Sequence, residues 1–351
     1  MKILEKTLNE INDLDYQMMN EAKNRLDQLT KPKGSLGMLE EMAVKLAGIY
    51  GELFPELQNK VHIIMAGDHG VAAEGVSAYP QSVTTQMVHN FLANGAAINV
   101  LAEGCGTKLK VVDIGMIEDI DSELLVKAKI KAGTENMTEG YAMTREEAVE
   151  ALEVGIREAK KAIAEGADII STGEVGIANT TPSSAVLAVF TGLDLEEIVG
   201  KGTGLNQEGV KNKIDVIKRA IDYNKPDKDD ALDVLASVGG LEIAGMAGVM
   251  LGAAAMKKAV VIDGLISAAA ALTAYKLCPG VVKYLFPSHK SAEPGHIKIY
   301  EELQLEPFID LQMRLGEGTG AVLALPFFEQ AVSIMRDMAT FEEAGVSTKN
   351  E

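Results

Sequence analysis

Six short apolar runs, each closing on polar or glycine-rich residues, constrain this chain more than any other feature. They cover 61–65, 109–113, 168–170, 234–238, 259–262 and 284–286. Helical periodicity fills most of the intervals between them. A helix is expected over 82–102. A long one starts at Thr144, whose spacing to Glu147 fits a capping box, and shows Val149, Leu152, Ile156 and Ile163 on one face. Thr181-Pro182 opens another, since proline suits a first helical turn, and a further helix is expected over 265–275. Apolar runs without alternation are the pattern of strands buried on both faces. The expected fold is therefore α/β, a Rossmann-like, mainly parallel sheet covered by helices. In such sheets ligand-binding groups gather beyond the carboxyl ends of the strands. The polar clusters fall there: Asp68-His69, Asp113, Gly173-Glu174, Asp263-Gly264 and Ser288-His289.

Both ends of the chain read as helical. Ile11, Leu14, Met18, Met19, Ala22, Arg25 and Leu26 keep one helical spacing, Pro32 and Gly34 break it, and Leu39, Met42, Ala43, Leu46 and Ile49 define a second helix. After residue 300 the helical pattern returns, most clearly over 328–341, and the last ten residues are expected to fray. The expected organisation is one large α/β domain, 61–300, with a small helical domain built from 1–60 and 301–351. The glycine-dense stretch 239–255, GGLEIAGMAGVMLGAAA, fits close packing against a neighbouring element or ligand contact by Gly239-Gly240.

Charge and composition exclude several classes. Of 351 residues, 33 are Lys or Arg and 51 are Asp or Glu, a net charge of −18 that opposes a polyanionic partner such as nucleic acid. A hydrophobic content of 47% excludes a disordered chain. A folded chain of this mass should expose roughly 14,000 Å². Cys105 and Cys278 are too few for a disulfide framework. The N-terminal residues lack the apolar core of a signal peptide, and no stretch reads as a membrane span. The expectation is a soluble cytoplasmic protein with no membrane partner.

Four clusters could carry chemistry. In 67–86, Asp68-His69 is either a metal-ligand pair or a hydrogen-bonded pair that fixes its loop. Further metal ligands could come only from His289, Glu293 and His296, whose spacing is not HExxH and is interrupted by Pro294-Gly295, so no metal is expected. Gln86 could offer its amide to a ring edge. In 171–185, Gly173 and Gly176 permit close backbone approach and the following helix start could hold an anion, with Glu174 beside it. In 200–205, GKGTGL with Lys211 and Lys213 downstream could cradle a phosphate. It matches neither a P-loop nor a GxGxxG fingerprint, so a dinucleotide cofactor gains no support. In 311–326, Glu317 lies between Gly316 and Gly318 with Leu315 nearby. That setting suits a general base of raised pKa, or alternatively a carboxylate at a helix N-terminus.

Taken together, KPKGSLG (31–37), AGDHGV (66–71), VTTQM (83–87), GEVGIANTTPSSA (173–185), KGTGL (201–205), VGGLEIAGMAG (238–248), IDG (262–264), SHKSAEPGH (288–296) and MRLGEGTGA (313–321) resemble the nicotinate-nucleotide:5,6-dimethylbenzimidazole phosphoribosyltransferase family. The likeness runs through essentially the whole chain, in order. It implies transfer of the phosphoribosyl group of nicotinate mononucleotide to 5,6-dimethylbenzimidazole or a related base. The products would be nicotinate and α-ribazole 5′-phosphate, used in the nucleotide loop of cobalamin. It also implies a homodimer without metal or cofactor. By the same resemblance Glu317 is the catalytic base, and Glu174 and Lys213 surround the sugar and leaving group. Gln86 and Leu315 belong to the base pocket. Gly176, Asn179, Thr180, Gly202, Thr203, Gly204, Asp263, Gly264 and Ser291 complete the expected substrate site.

Overall fold

The computed structural model describes residues 2–347. The chain starts with α1 (Lys2–Glu10) and α2 (Tyr16–Gln28). The spacing from Ile11 to Leu26 predicts one continuous run. Asp15 interrupts it by accepting the Met18 N–H at 2.9 Å and capping α2 afresh. Helix α3 (Met38–Tyr50) ends at left-handed Gly51. β1 (Lys60–Gly67) then enters the sheet, followed by α4 (Val83–Leu92) and α5 (Ala97–Gly104). The single helix expected over 82–102 is thus two. Asn94 takes a left-handed φ of 58°, and Asn99 Nδ2 donates to the Phe91 carbonyl, closing the turn between them.

β2 (Thr107–Gly115) is followed by β3 (Leu125–Lys127), a three-residue edge strand too short to register as an apolar run. Helix α6 (Arg145–Ala164) begins with the expected box. The Glu147 N–H donates to Thr144 Oγ1 at 3.1 Å, and the Thr144 N–H to Glu147 Oε2 at 2.7 Å. β4 (Ile169–Val175), α7 (Thr180–Thr191), α8 (Leu195–Ile198) and α9 (Gln207–Asn224) follow. The run 234–238, expected as a strand, is instead part of helix α10 (Ala231–Val238), capped by Asp230 through the Leu232 and Asp233 amides. All five residues of that run are buried, so nothing in its periodicity separates a strand from a short helix. The remaining elements are α11 (Leu241–Ala255), β5 (Val260–Ile262), α12 (Leu265–Leu277), β6 (Leu285–Pro287), α13 (Pro294–Leu303), α14 (Thr319–Asp337) and α15 (Phe341–Ala344). Part of the tail expected to fray is therefore the Thr340-capped α15. Residues 348–351 lie outside the described residues.

The six strands form one sheet in the order β3-β2-β1-β4-β5-β6, and every pairing is parallel. Helices α11 and α12 pack on one face, and α14 and α5 on the other. The glycines of α11 serve close packing. A Cβ on Gly248 would collide with the backbone of Leu152 in α6, and one on Gly155 of α6 would collide with the Gly245 carbonyl. On the other face α14 meets α2 and α3, and Arg25 donates to the carbonyls of Met335 and Met338. The surface, 14841 Å², is close to that expected for the mass. Among the described residues, no helix is long and apolar enough to cross a membrane.

Candidate active site

β1 and β4 are neighbours in the sheet, although β2, β3 and α6 lie between them in the chain. Strand order therefore reverses at this pair, and the crevice beyond such a reversal is where open α/β sheets bind ligands. A cavity of about 430 Å³ opens there. One wall is the end of β4 and the start of α7, with Glu174, Gly176, Asn179 and Thr180. A second is the loop at Gly202 and Thr203. The N-terminus of α12, from Gly264 to Ile266, joins His289, Ser291 and Glu293 in a third, and Arg314, Leu315, Gly316 and Glu317 make a fourth.

The fourth wall has unusual backbone geometry. Gly316, Glu317 and Gly318 all have positive φ, at 87°, 63° and 85°. Glutamate in this region costs roughly 1–2 kcal/mol, so the surroundings must hold it. They do so from both sides of the residue. The Glu317 N–H donates to Glu174 Oε1 at 3.3 Å, and the Glu317 carbonyl lies 2.9 Å from His62 Nε2. Side chains cannot fit beside these contacts. A Cβ on Gly316 would press on Glu174, and one on Gly318 would collide with the His62 ring. Beyond the turn, Asp263 Oδ1 accepts the first-turn amides of α14 from Gly320 (2.8 Å) and Ala321 (3.1 Å). Asp263, expected to touch substrate, is buried behind the wall and anchors the helix that follows Glu317.

Burial raises both carboxyls, Glu174 and Glu317. Burial pushes Glu174 up to about 8, against the pull of the Asn179 amide, which donates to its Oε2. Burial also raises Glu317, with the Ile98 amide of α5 lowering it and Asp263 adding to the rise. Glu317 Oε2 is buried without a hydrogen-bond partner among the described residues. Lys213 is fully buried behind Thr180, with Nζ 2.5 Å from Thr180 Oγ1, and burial pulls it down to about 8. Glu293 Oε1 accepts the Gly202 N–H at 3.1 Å and ties two walls together.

Ten of the expected site residues line the cavity: Glu317, Glu174, Gly176, Asn179, Thr180, Gly202, Thr203, Gly264, Ser291 and Leu315. Lys213 and Asp263 stand directly behind the lining. Gln86 is exposed on α4 and does not line the cavity, whereas Val83 and Met87 of the same helix do. Gly204 is left-handed, φ 108°, and also lies outside the lining. Sequence reasoning missed Tyr79, Val83, Met87 and Arg314. The i, i+4 spacing of Val83 and Met87 was a usable signal. Arg314 is exposed, and among the described residues it makes no hydrogen bond or ion pair.

Most histidines of the two histidine-rich segments have local partners, while His289 faces the cavity. His69 Nε2 lies 3.0 Å from Glu242 Oε1, and Asp68 accepts the Ile117 amide at 2.8 Å. His296 Nδ1 accepts the Ser291 N–H at 3.0 Å. Asp113 accepts the Met116 amide at 2.9 Å and braces the end of β2. No group of three or more metal-ligating side chains occurs among the described residues.

A switch-point cavity with glycine amides, a helix N-terminus and buried carboxylates is suited to a phosphorylated sugar, and a family model described as phosphoribosyltransferase matches residues 11–346. A curated relative from Desulforamulus reducens, a nicotinate-nucleotide–dimethylbenzimidazole phosphoribosyltransferase, is 52% identical over 349 residues, covering 99% of each chain. One of the same name from Halalkalibacterium halodurans is 50% identical over 347 residues, covering 99% of this chain and 97% of the relative. A crystal structure of the same-named protein from Thermus thermophilus superposes with a TM-score of 0.91 at 45% identity, covering 96% of this chain and 100% of that one. This chain belongs to the nicotinate-nucleotide–dimethylbenzimidazole phosphoribosyltransferase family.

Proposed function

We propose that Glu317 and Glu174 divide the work of one glycosyl transfer. The chain moves the phosphoribosyl group of nicotinate mononucleotide to 5,6-dimethylbenzimidazole, giving nicotinate and α-ribazole 5′-phosphate. The neutral ring nitrogen of the acceptor attacks the anomeric carbon opposite nicotinate. The new C–N bond forms as the bond to nicotinate breaks, and inversion converts a β-nucleotide into an α-nucleotide. Nicotinate leaves with the bonding pair as a pyridine and needs no proton on its ring nitrogen. The acceptor, now cationic, loses its other ring N–H to Glu317. Glu174, ionised by the positive charge of the bound pyridinium, stabilises the developing oxocarbenium character of the ribose.

The observation that carries this reading is the unpartnered, buried Glu317 Oε2 in the cavity wall. The amide-rich side supports a phosphate site: Gly176, Gly202, Thr203, Ser291 and the α12 N-terminus from Gly264. Lys213 backs it through Thr180. Arg314, a cation of the lining with no protein partner among the described residues, pairs with an anionic group of the nucleotide. The nicotinate carboxylate is the one the amide cradle does not take. Leu315, with Val83 and Met87 of α4, borders the acceptor. No step calls on a metal or redox cofactor. A homodimer is part of the proposal, and a solution mass of twice 37.4 kDa tests it.

The test is to incubate the protein with nicotinate mononucleotide and a mixture of 5,6-dimethylbenzimidazole, adenine and phenolic bases. Mass analysis should find α-ribazole 5′-phosphate and one nicotinate released per nucleotide formed. Free ribose 5-phosphate without nucleotide would mean hydrolysis instead of transfer. A dominant adenine or phenolic product would keep the transferase reading and change its acceptor.

A further inference from the structure

We propose that His62 is a positioning residue for the transfer reaction, its Nε2–H locking the left-handed turn from which Glu317 reaches the acceptor. The inference rests on Glu317 being the base. His62 is the third residue of β1, paired in register with Ser171 of β4, and it is fully buried. Side chains paired in register on adjacent strands share one face of the sheet. Nδ1 accordingly lies 2.8 Å from Ser171 Oγ, and Nε2 lies 2.9 Å from the Glu317 carbonyl oxygen. A carbonyl oxygen can only accept, so Nε2 carries the hydrogen. Nδ1 then presents its lone pair, and Ser171 donates to it. Burial pushes His62 down to about 4, which keeps this single tautomer in place at neutral pH.

The contact has ordinary hydrogen-bond length, 2.9 Å, and sits in a close-packed surround. A Cβ on Gly173 would collide with His62 Nε2 and the Glu317 carbonyl, and one on Gly318 with the imidazole, so neither residue could carry a side chain. Glu317 has positive φ and no helical neighbour to hold its carbonyl. With Glu174 fixing the N–H and His62 fixing the C=O, the residue is held at both ends of its backbone. Without His62, the carbonyl is buried against a cavity where water can compete for it, and the turn can relax toward ordinary φ. That relaxation swings the carboxylate, and a displacement of about 1 Å is enough to cost about 10²-fold in rate.

The experiment is a double-mutant cycle with steady-state kinetics in both substrates. His62→Ala should lower kcat about 10- to 100-fold and change each KM by less than about threefold. His62→Gln, whose amide can donate from near the Nε2 position, should recover kcat to within about threefold of the parent. In a Glu317→Gln background, His62→Ala should change the residual rate by less than about twofold, because no base remains to misplace. A folded His62→Ala enzyme with parental kcat, or an equal loss in the Glu317→Gln background, overturns the positioning role. Parental turnover of Glu317→Gln alone would instead sink the base assignment beneath it. If His62→Ala does not fold, Ser171→Ala carries the test. It leaves the imidazole but frees its tautomer, and kcat should fall about 3- to 10-fold with KM unchanged. An unaltered kcat in that variant overturns the inference.

Discussion

The backbone N–H of Glu317 donates to the carboxyl of Glu174 across 3.3 Å. Two acidic residues of the cavity wall are thus joined, main chain of one to side chain of the other. On the proposed roles, substitution at Glu174 should act on the sugar and also on the geometry of Glu317. Effects at the two positions should be strongly non-additive.

Replacing Glu317 by Gln keeps shape and volume but removes the proton acceptor. Turnover should fall about 10²–10⁴-fold with little change in melting temperature. Steady-state assay of α-ribazole 5′-phosphate, alongside circular dichroism, checks both halves. Near-parental turnover would end its role as base.

Glu174 gives a signed pH prediction. Its folded value, about 8, lies above the ordinary 4.5 of the free side chain. The neutral carboxyl therefore stabilises the empty protein fully below about pH 4.5, and the contribution disappears as pH rises through about 8. Buried Glu317 and Asp263 shift in the same direction. The melting temperature without ligand should decline from pH 5 to 8.5, less steeply in Glu174→Gln. In the parent, kcat/KM for the nucleotide should rise through the same interval, since the proposed mechanism uses the ionised form. A kcat/KM profile unchanged by Glu174→Gln would contradict this.

Arg314 is exposed and free of protein partners among the described residues, so Arg314→Ala should cost the fold almost nothing. Loss of a charge-assisted contact to substrate is worth about 1.5–3 kcal/mol. The KM for nicotinate mononucleotide should rise about 10- to 100-fold, with the KM for the acceptor unaltered. Kinetics with the nucleotide varied at saturating acceptor would show the difference.

Gly248 tests the close approach of α11 and α6. Alanine normally favours a helix by about 1 kcal/mol over glycine. Here its methyl would run into the Leu152 backbone, which cannot move aside as a side chain could. Gly248→Ala should destabilise by about 1–3 kcal/mol, read as a lowered denaturation midpoint in urea. A stabilised variant would refute the packing argument.

The parallel sheet was legible because β1, β2 and β4 are long or strongly apolar and close on polar clusters. β3 escaped because three residues at a sheet edge leave almost no pattern, and α10 passed for a strand because burial on every side erases periodicity. In the site, Glu317 and Glu174 announced themselves through flanking glycines. His62 did not: it sits within an apolar run, and its importance comes from a partner 255 residues away. Asp263 drew attention for its place after β5, yet its neighbours turned it toward the α14 amides. Gln86 and Met87 differ by one position on α4, and only the folded helix reveals which of them looks inward.

The cavity combines two kinds of wall. Gly173, Gly316 and Gly318 are packed so closely against Glu174, His62 and the Glu317 backbone that none has room for a side chain. Tyr79, Val83, Met87 and Leu315 line the same cavity with side chains at least partly open to solvent. If the proposed roles hold, descendants of such a protein can drift in the heterocycle they accept while inheriting the bond-making apparatus unaltered, and an engineer seeking unnatural lower ligands should randomise those four positions first.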